Sequence, residues 1–354
     1  MRDLSCCWRY TAGSVLSNTE HDQLFRETFQ HPENAAGLVK PWLPPVLAER
    51  IDWATLMLES GAFVDDASAK FADLLFSVQV RQLEGQRRPL LLQFLVEHQS
   101  TPPPRMALRM SGYVVRALER YAAAHDGAEL PAVLPLVVSH CERPWSAARD
   151  LRELYALDPA ADEALGPYLL GIRYLVDDLV GQTEAQIRGR ALTTPAVVTL
   201  LALRSVRYES VFSEAFRRWA DLLARMTPDE LSPLLVYALR VGEEPTEALR
   251  DVLSSSVNLE AGDLVMTTAE RLIEQGKKEG LELGRQKGRQ EGEYEARRHT
   301  LVTLLGDKFP GQAIPGPVQQ LIAEAPVESL AEWTRRVLTA PTLLDVFASE
   351  AEND

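Results

Sequence analysis

Cysteine, long apolar runs and clustered histidine are all scarce in this chain of 354 residues. Its three cysteines include the adjacent pair Cys6 and Cys7, so we expect neither a disulfide framework nor a zinc site, and a reducing compartment is indicated. The longest apolar stretches fall short of the roughly 20 residues that cross a bilayer, and the N-terminus lacks the apolar segment of a signal peptide. These absences predict a cytoplasmic protein with no membrane partner.

Several catalytic motifs are also missing. The sequence contains no GxSxG nucleophile elbow, no phosphate-binding P-loop and no GxGxxG dinucleotide fingerprint. His140 and Cys141 are neighbours on a predicted strand and therefore point to opposite faces, which argues against a Cys-His nucleophile. Hydrolases of the α/β type and enzymes with nucleotide cofactors are therefore not expected.

The composition is that of a globular protein whose basic residues are concentrated locally. Hydrophobic residues make up 46% and charged residues 25% of the chain, and its net charge is -14. Residues 81–120 nevertheless carry seven basic and three acidic side chains. A local basic surface of this kind can bind a polyanion on an acidic protein, with strong dependence on salt.

Hydrophobic periodicity predicts an α/β core in the first part of the chain. A helix is predicted at 21–39, two paired strands at 71–80 and 89–99, a helix at 105–124 and a further strand at 132–139. Such a succession describes a small mixed sheet flanked by helices. Beyond residue 146 the pattern predicts helices, at 147–155, 168–181, 183–203 and 208–226.

Glycine recurs at every fourth position between residues 276 and 292. Positions four apart lie on one face of a helix, where glycine permits close approach of another backbone, but each glycine also costs up to about 1 kcal/mol of helix stability. Two interpretations stay open: a flexible charged linker, or a helix that packs or self-associates. Residues 301–354 predict a small helical bundle with an acidic tail.

Three polar residues near the predicted hairpin are candidates for metal-dependent phosphodiester cleavage. Asp73 precedes the apolar part of the first strand, and Glu97 and Gln99 close the second strand, where alternation places them on one face. Carboxylates on one face are what a Mg²⁺ site requires. The alternative is structural: Asp73 caps a strand and Glu97 pairs with Arg105 or Arg109.

Ordered sequence blocks between about residues 20 and 145 resemble a known family. They read HDQLFRETFQHPENAAGLVKPWLP, IDWATL, FADLLFSV, FLVEHQSTPPPRMALRMSGYVVR and LPLVVSHCERPW. They resemble the recombination-promoting nuclease and putative transposase family (Rpn, YhgA-like) of the PD-(D/E)XK nuclease superfamily. The resemblance implies a restriction-endonuclease-like core followed by an all-helical region, with a lead-in at 1–17, a nuclease-like domain at 18–225, a helical connector at 226–300 and a C-terminal domain at 301–354.

The resemblance also implies roles for individual residues. Asp73 matches the first metal-binding acid and Glu97 the second, with the backbone carbonyl of His98 as a third ligand of Mg²⁺ or another divalent cation. Gln99 stands where the superfamily usually has lysine, and it can form hydrogen bonds but supplies no positive charge. Asp22 matches an acid of the N-terminal helix that supports the site.

Two arginines and one loop complete the implied site. Arg105 and Arg109 are the implied DNA contacts, although a surface or carboxylate-pairing role fits Arg109 equally well. Ser139 and Cys141 stand where the family has other residues, so this loop departs from the family pattern.

The resemblance implies a metal-dependent DNA endonuclease that promotes recombination, with a homo-oligomer formed through the C-terminal helical region. A weakly active or inactive nuclease-fold module that acts in binding or oligomerisation is the alternative. The sequence does not distinguish DNA from RNA as the substrate.

Overall fold

Five strands form one mixed sheet at the centre of the fold. The computed structural model describes residues 13–59, 74–81, 87–97, 102–205 and 211–348. Spatial order follows chain order, and β1 to β3 pair antiparallel whereas β3 to β5 pair parallel. This arrangement confirms the predicted α/β class with a mixed sheet. The strands are β1 (Ile51–Leu58), β2 (Leu74–Arg81), β3 (Arg87–Glu97), β4 (Ala132–Ser139) and β5 (Leu175–Asp178).

Helices pack around the sheet. Several of them begin at a proline, which is tolerated there because the N–H of a first-turn residue has no hydrogen-bond partner within the helix. The helices of the first compact unit, Met1–Glu270, are α1 (Gly13–Phe29), α2 (Pro32–Val39), α3 (Pro45–Ala48), α4 (Met106–Ala124), α5 (Pro159–Leu165), α6 (Glu184–Arg188), α7 (Thr194–Ser205), α8 (Phe212–Arg218), α9 (Ala220–Leu223), α10 (Pro228–Val241), α11 (Thr246–Ser256) and the start of α12 (Leu259–Lys308).

Helix α4 connects the parallel strands β3 and β4, a connection that requires a crossover rather than a turn. Its apolar stripe packs on one face of the sheet: Met106 and Met110 are buried in a cluster with Val137 of β4 and Val176 of β5. The helix that the sequence predicts at 105–124 is therefore confirmed, and its first turn follows the end of β3.

The opposite face of the sheet carries the main core. Phe25 and Phe29 of α1 are fully buried in one cluster with Phe76 of β2 and Leu92 of β3. Residues of α7, α10 and α11 belong to the same cluster. Burial of large side chains on both faces explains why the central strands read as nearly continuous apolar runs.

Two strands were not predicted from the sequence. The mixed pattern of β1 arises because its register with β2 shifts between Asp52 and Met57, which interrupts the alternation expected of a strand. The helix predicted at 168–181 is wrong, because Leu175–Asp178 pairs in parallel with β4. Four residues give too short a pattern to separate a strand from a buried helix turn.

Other predicted helices are shorter or divided. The run 21–39 forms two helices, because Pro32 lacks the N–H that would continue the first, and α1 begins at Gly13 within the predicted lead-in. Residues 147–155 contain one 3-10 turn, Leu151–Leu154. The run 183–203 also divides, into α6 and α7.

The second unit, Arg271–Asp354, is helical throughout its described part. It contains most of α12, then α13 (Gly316–Glu324) and α14 (Val327–Val337), whose apolar residues form a separate cluster around Leu301 and Leu305. This confirms the predicted small helical bundle. The predicted domain boundaries at 17, 225 and 300 stay predictions.

The glycine repeat lies inside α12, which runs without interruption for 50 residues. The repeat is therefore helical, as the second interpretation predicts, rather than a flexible linker, and self-association through it stays a prediction. A Cβ atom built on any of the five glycines from Gly276 to Gly292 meets nothing within 4 Å. No helix in the described part of the chain is long and apolar enough to cross a membrane.

Candidate active site

The carboxyl edge of the three parallel strands brings a row of polar residues together. Glu97 ends β3 and pairs with Ser139, which ends β4, and Ser139 in turn pairs with Asp178, which ends β5. Ligand sites in α/β sheets lie outside the carboxyl ends of parallel strands. This edge is therefore the candidate active site.

The antiparallel pair β2 and β3 places the first residue of β2 near the edge at which β3 ends. Leu74 begins β2 and pairs with Phe94, which is three positions, or about 10 Å, before the end of β3. The predicted hairpin is confirmed by this register. Asp73, His98 and Gln99 lie outside the described residues, so their predicted roles stay predictions.

Asp178 is a site residue that the sequence analysis missed. Its Oδ2 accepts a hydrogen bond of 2.8 Å from the backbone N–H of Trp145, in the segment that leaves β4. The carboxylate thereby holds that segment against the edge of the sheet. The signal available in the sequence was the pair of aspartates that follows Leu175 and Val176, typical of a strand that ends at a functional edge.

The preceding aspartate forms a buried ion pair. Arg190 Nη2 lies 2.6 Å from Asp177 Oδ2, and the Asp177 side chain has no exposed surface. Gln182 donates a further hydrogen bond of 2.8 Å to Asp177 Oδ1. Because Asp177 pairs with Val138, this network fixes the end of β5 next to the end of β4.

Two buried histidines connect α1 with the end of β4. The ring of His140, the residue after Ser139, lies edge-on to the ring of His21 with centroids 4.9 Å apart. His21 Nδ1 shares a hydrogen bond of 2.8 Å with the Tyr237 hydroxyl of α10. Asp22, the predicted supporting acid, is half-buried on α1 directly after His21.

The first turns of α4 carry the two predicted phosphate contacts. Arg105 is exposed and Arg109 is half-buried. Arg109 Nε donates to the Tyr113 hydroxyl at 3.3 Å, and its guanidinium carbon lies 5.8 Å from the centre of the Tyr113 ring. The contact with tyrosine is a role for Arg109 that the sequence analysis did not consider.

Tyr174 lies in the same region, just before β5. Burial raises the pKa of its phenol from 10.0 to about 12, despite the opposing effect of Trp145. The protonated hydroxyl donates a hydrogen bond of 2.6 Å to the backbone carbonyl of Ala148. Tyr174 is therefore a fixed donor at neutral pH and serves to hold the segment after β4.

The donor set at this edge suits a hard divalent cation. Carboxylate and backbone carbonyl oxygens are the ligands that Mg²⁺ prefers, and the predicted ligands Asp73, Glu97 and His98 would supply such oxygens. Within the described ranges no group of three His, Cys, Asp or Glu side chains is arranged to hold a metal ion.

Comparison with known proteins places the sheet and its edge within one family region. The model of the family described as "Putative transposase, YhgA-like" matches residues 19–231. This range contains all five strands and every site residue that the sequence predicts, whereas Tyr237, which bonds to His21, lies just beyond it.

Three curated proteins illustrate the similarity. The chain is 28% identical to recombination-promoting nuclease RpnD of Escherichia coli O157:H7 over 73% of this chain and 96% of that protein. It is 38% identical to recombination-promoting nuclease RpnC of Escherichia coli K12, over 34% of this chain and 39% of that protein. It is 26% identical to the inactive recombination-promoting nuclease-like protein RpnE of the same strain, over 75% of this chain and 85% of that protein. No solved structure matches the chain significantly.

Proposed function

Since the chain belongs to the YhgA-like putative transposase family, we propose that it is a metal-dependent DNA endonuclease of the PD-(D/E)XK superfamily that acts in the cytoplasm and promotes recombination. The observation that carries the proposal is the carboxyl edge at which Glu97, Ser139 and Asp178 pair in one row. Similarity to two proteins named as recombination-promoting nucleases supports it.

Asp73 and Glu97 are the proposed ligands of Mg²⁺, with the backbone carbonyl of His98. The chemistry that Mg²⁺ supplies when bound is stabilisation of negative charge on the phosphoryl group. Gln99 orients water or a phosphate oxygen through its amide, which both donates and accepts hydrogen bonds. Arg105 and Arg109 contact phosphates of the substrate from the first turns of α4.

The remaining described residues of the edge position this machinery. Asp178 holds the backbone of Trp145, and the His21 and His140 pair holds α1 with Asp22 against the end of β4. Rigid support of this kind matters because small displacements of reacting groups lower the rate substantially.

The proposal is tested by cleavage of supercoiled plasmid at low salt, with Mg²⁺ and with EDTA. We expect nicking by the wild type in Mg²⁺ alone, and its loss in Asp73→Ala and in Glu97→Ala. A parallel reaction with a structured RNA of similar length shows whether the protein cleaves DNA, RNA or both. Cleavage that persists in both variants would show that these carboxylates are not the site.

A second candidate function is a nuclease-fold module that binds or oligomerises without cutting. The similarity to a protein named as inactive favours it, as does Gln99 in the position where lysine is usual. In this case we propose that copies of the chain associate through the glycine face of α12, the side that carries the five glycines from Gly276 to Gly292. Every residue of the helix from Glu274 to Glu293 is exposed, so this face is accessible to a second copy.

Alanine at Gly280, Gly284 and Gly288 separates this second function from the first. A Cβ at these positions meets nothing in the chain itself, so the variant should keep its helix content by circular dichroism. Association through the glycine face should weaken, since backbones approach less closely, and sedimentation would then show a smaller species. An unchanged oligomer would contradict association through this face.

A further inference from the structure

Four arginines lie along one side of helix α4: Arg105 directly before its first residue, and Arg109, Arg116 and Arg120 within it. At about 100° per residue these positions fall within about 60° of the helix circumference. We call this side the arginine face. The buried stripe of the same helix, which includes Met106, Met110 and Ala117, lies on another side and packs against the sheet.

We propose that the arginine face binds the phosphate backbone of duplex DNA, with Arg116 and Arg120 as contacts beyond the two near the candidate active site. The proposal rests on DNA as the substrate of the proposed function, and it adds how that substrate is held. Contacts to phosphates position a duplex without reading its sequence, so the predicted binding is independent of sequence.

The two middle arginines are held in place by a buried ring. Tyr113 is 4% exposed, and the guanidinium carbons of Arg109 and Arg116 lie 5.8 Å and 4.7 Å from its ring centre. A cation over an aromatic face is attracted by the ring, and a restrained arginine loses less freedom when it binds phosphate. Arg109 and Arg116 are therefore preorganised to bind phosphate, in contrast to arginines that move freely at the surface.

The length of the face suits a duplex. From Arg105 to Arg120 it extends about 22 Å along the helix axis, which corresponds to roughly six base pairs of duplex. Arg105 lies at the end next to the candidate active site, because α4 begins shortly after β3 ends. A duplex along α4 would thus reach the carboxyl edge of the sheet.

Charge favours a polyanion, and the burial of Tyr113 favours a duplex over a single strand. Glu119 is the one acidic residue of α4, in a chain whose net charge is -14. Single-strand binding sites stack bases on accessible aromatic rings. The Tyr113 ring beside the arginine face is buried and lies against Arg109 and Arg116, so it offers no such surface.

The test measures binding of a fluorescent 30-base-pair duplex by full-length protein in EDTA, across a range of salt concentrations. For Arg116→Gln/Arg120→Gln we expect Kd to rise about tenfold or more at 0.1 M salt, with a salt slope lower by about 1.8. Glu119→Gln should tighten binding. The matched control Arg217→Gln/Arg225→Gln removes two exposed charges from the same unit and should bind like the wild type.

The outcomes separate this inference from the proposed nuclease. Binding by the arginine variant that equals the wild type overturns the inference, even if the wild type cuts DNA. Arginine-dependent binding by a wild type that cuts nothing upholds the inference and rejects the nuclease. Equal affinity for the unannealed single strand, or no measurable duplex binding, also overturns it.

Discussion

Glu97 and Ser139 are register partners at the carboxyl ends of the parallel strands β3 and β4. Their pairing aligns the predicted metal-binding strand with the strand whose next residue, His140, contacts α1. The candidate site is thus bordered by α1 on one face of the sheet and by α4 on the opposite face. Its support can be tested separately from its chemistry.

The buried ion pair of Asp177 and Arg190 should be the most sensitive part of this support. We expect Arg190→Ala to lower the free energy of unfolding by about 3 kcal/mol or more, because it leaves a carboxylate with no exposed surface without its cation. Urea denaturation measures the change. The matched control is Arg173→Ala, whose ion pair with Asp150 has an 80% exposed arginine and should cost less than about 1 kcal/mol. Equal costs in the two variants would contradict the assigned role.

The hydrogen bond between His21 and Tyr237 should also contribute to stability. Tyr237→Phe removes the hydroxyl and keeps the ring, so we expect a loss of about 1 to 2 kcal/mol in urea denaturation. Tyr155→Phe provides the comparison, because its hydroxyl bonds to the Leu170 carbonyl at the surface and should matter less. A loss no larger than that of Tyr155→Phe would mean that this bond does not anchor α1.

The raised pKa of Tyr174 predicts a specific loss of stability at high pH. Burial raises the pKa from 10.0 to about 12, so the folded protein holds the phenolic proton more tightly than the unfolded chain. The stabilisation is complete below pH 10 and is lost as the pH rises from about 10 to about 12. We therefore expect Tyr174→Phe to lose less stability than the wild type across that interval, as measured by thermal unfolding. If the stabilities of the wild type and of Tyr174→Phe fell in parallel with pH, the phenol would have the same pKa in the folded and unfolded states, contrary to this account.

Much of the sheet was predictable because its central elements have local signals. The apolar runs of β2, β3 and β4 and the amphipathic stripe of α4 are long enough to show their periods. The short strand β5 is defined by its pairing with β4, which the local sequence does not encode, and with it Asp178 was missed. The contact between His21 and His140 depends in the same way on tertiary packing.

The sequence shows how many basic residues the range 81–120 contains, but it does not show how they are arranged in space. The sequence analysis named Arg105 and Arg109 as the DNA contacts that the family resemblance implies. The structure adds the buried Tyr113 ring, whose centre lies 4.7 Å from the guanidinium carbon of Arg116 and 5.8 Å from that of Arg109. The proposed DNA-binding surface therefore extends further along α4 than the two arginines named from the sequence.

The central claim is that Glu97 takes part in DNA cleavage, and a single-turnover rate measurement tests it most directly. Glu97→Gln is compared with Glu163→Gln, which makes the same change at an exposed position on α5. Both variants and the wild type are incubated with labelled duplex in Mg²⁺, and duplex binding is measured in parallel. We predict that Glu97→Gln binds duplex like the wild type but cleaves it at least about a hundredfold more slowly, whereas Glu163→Gln cleaves at the wild-type rate. Equal cleavage rates in the two variants would contradict the claim.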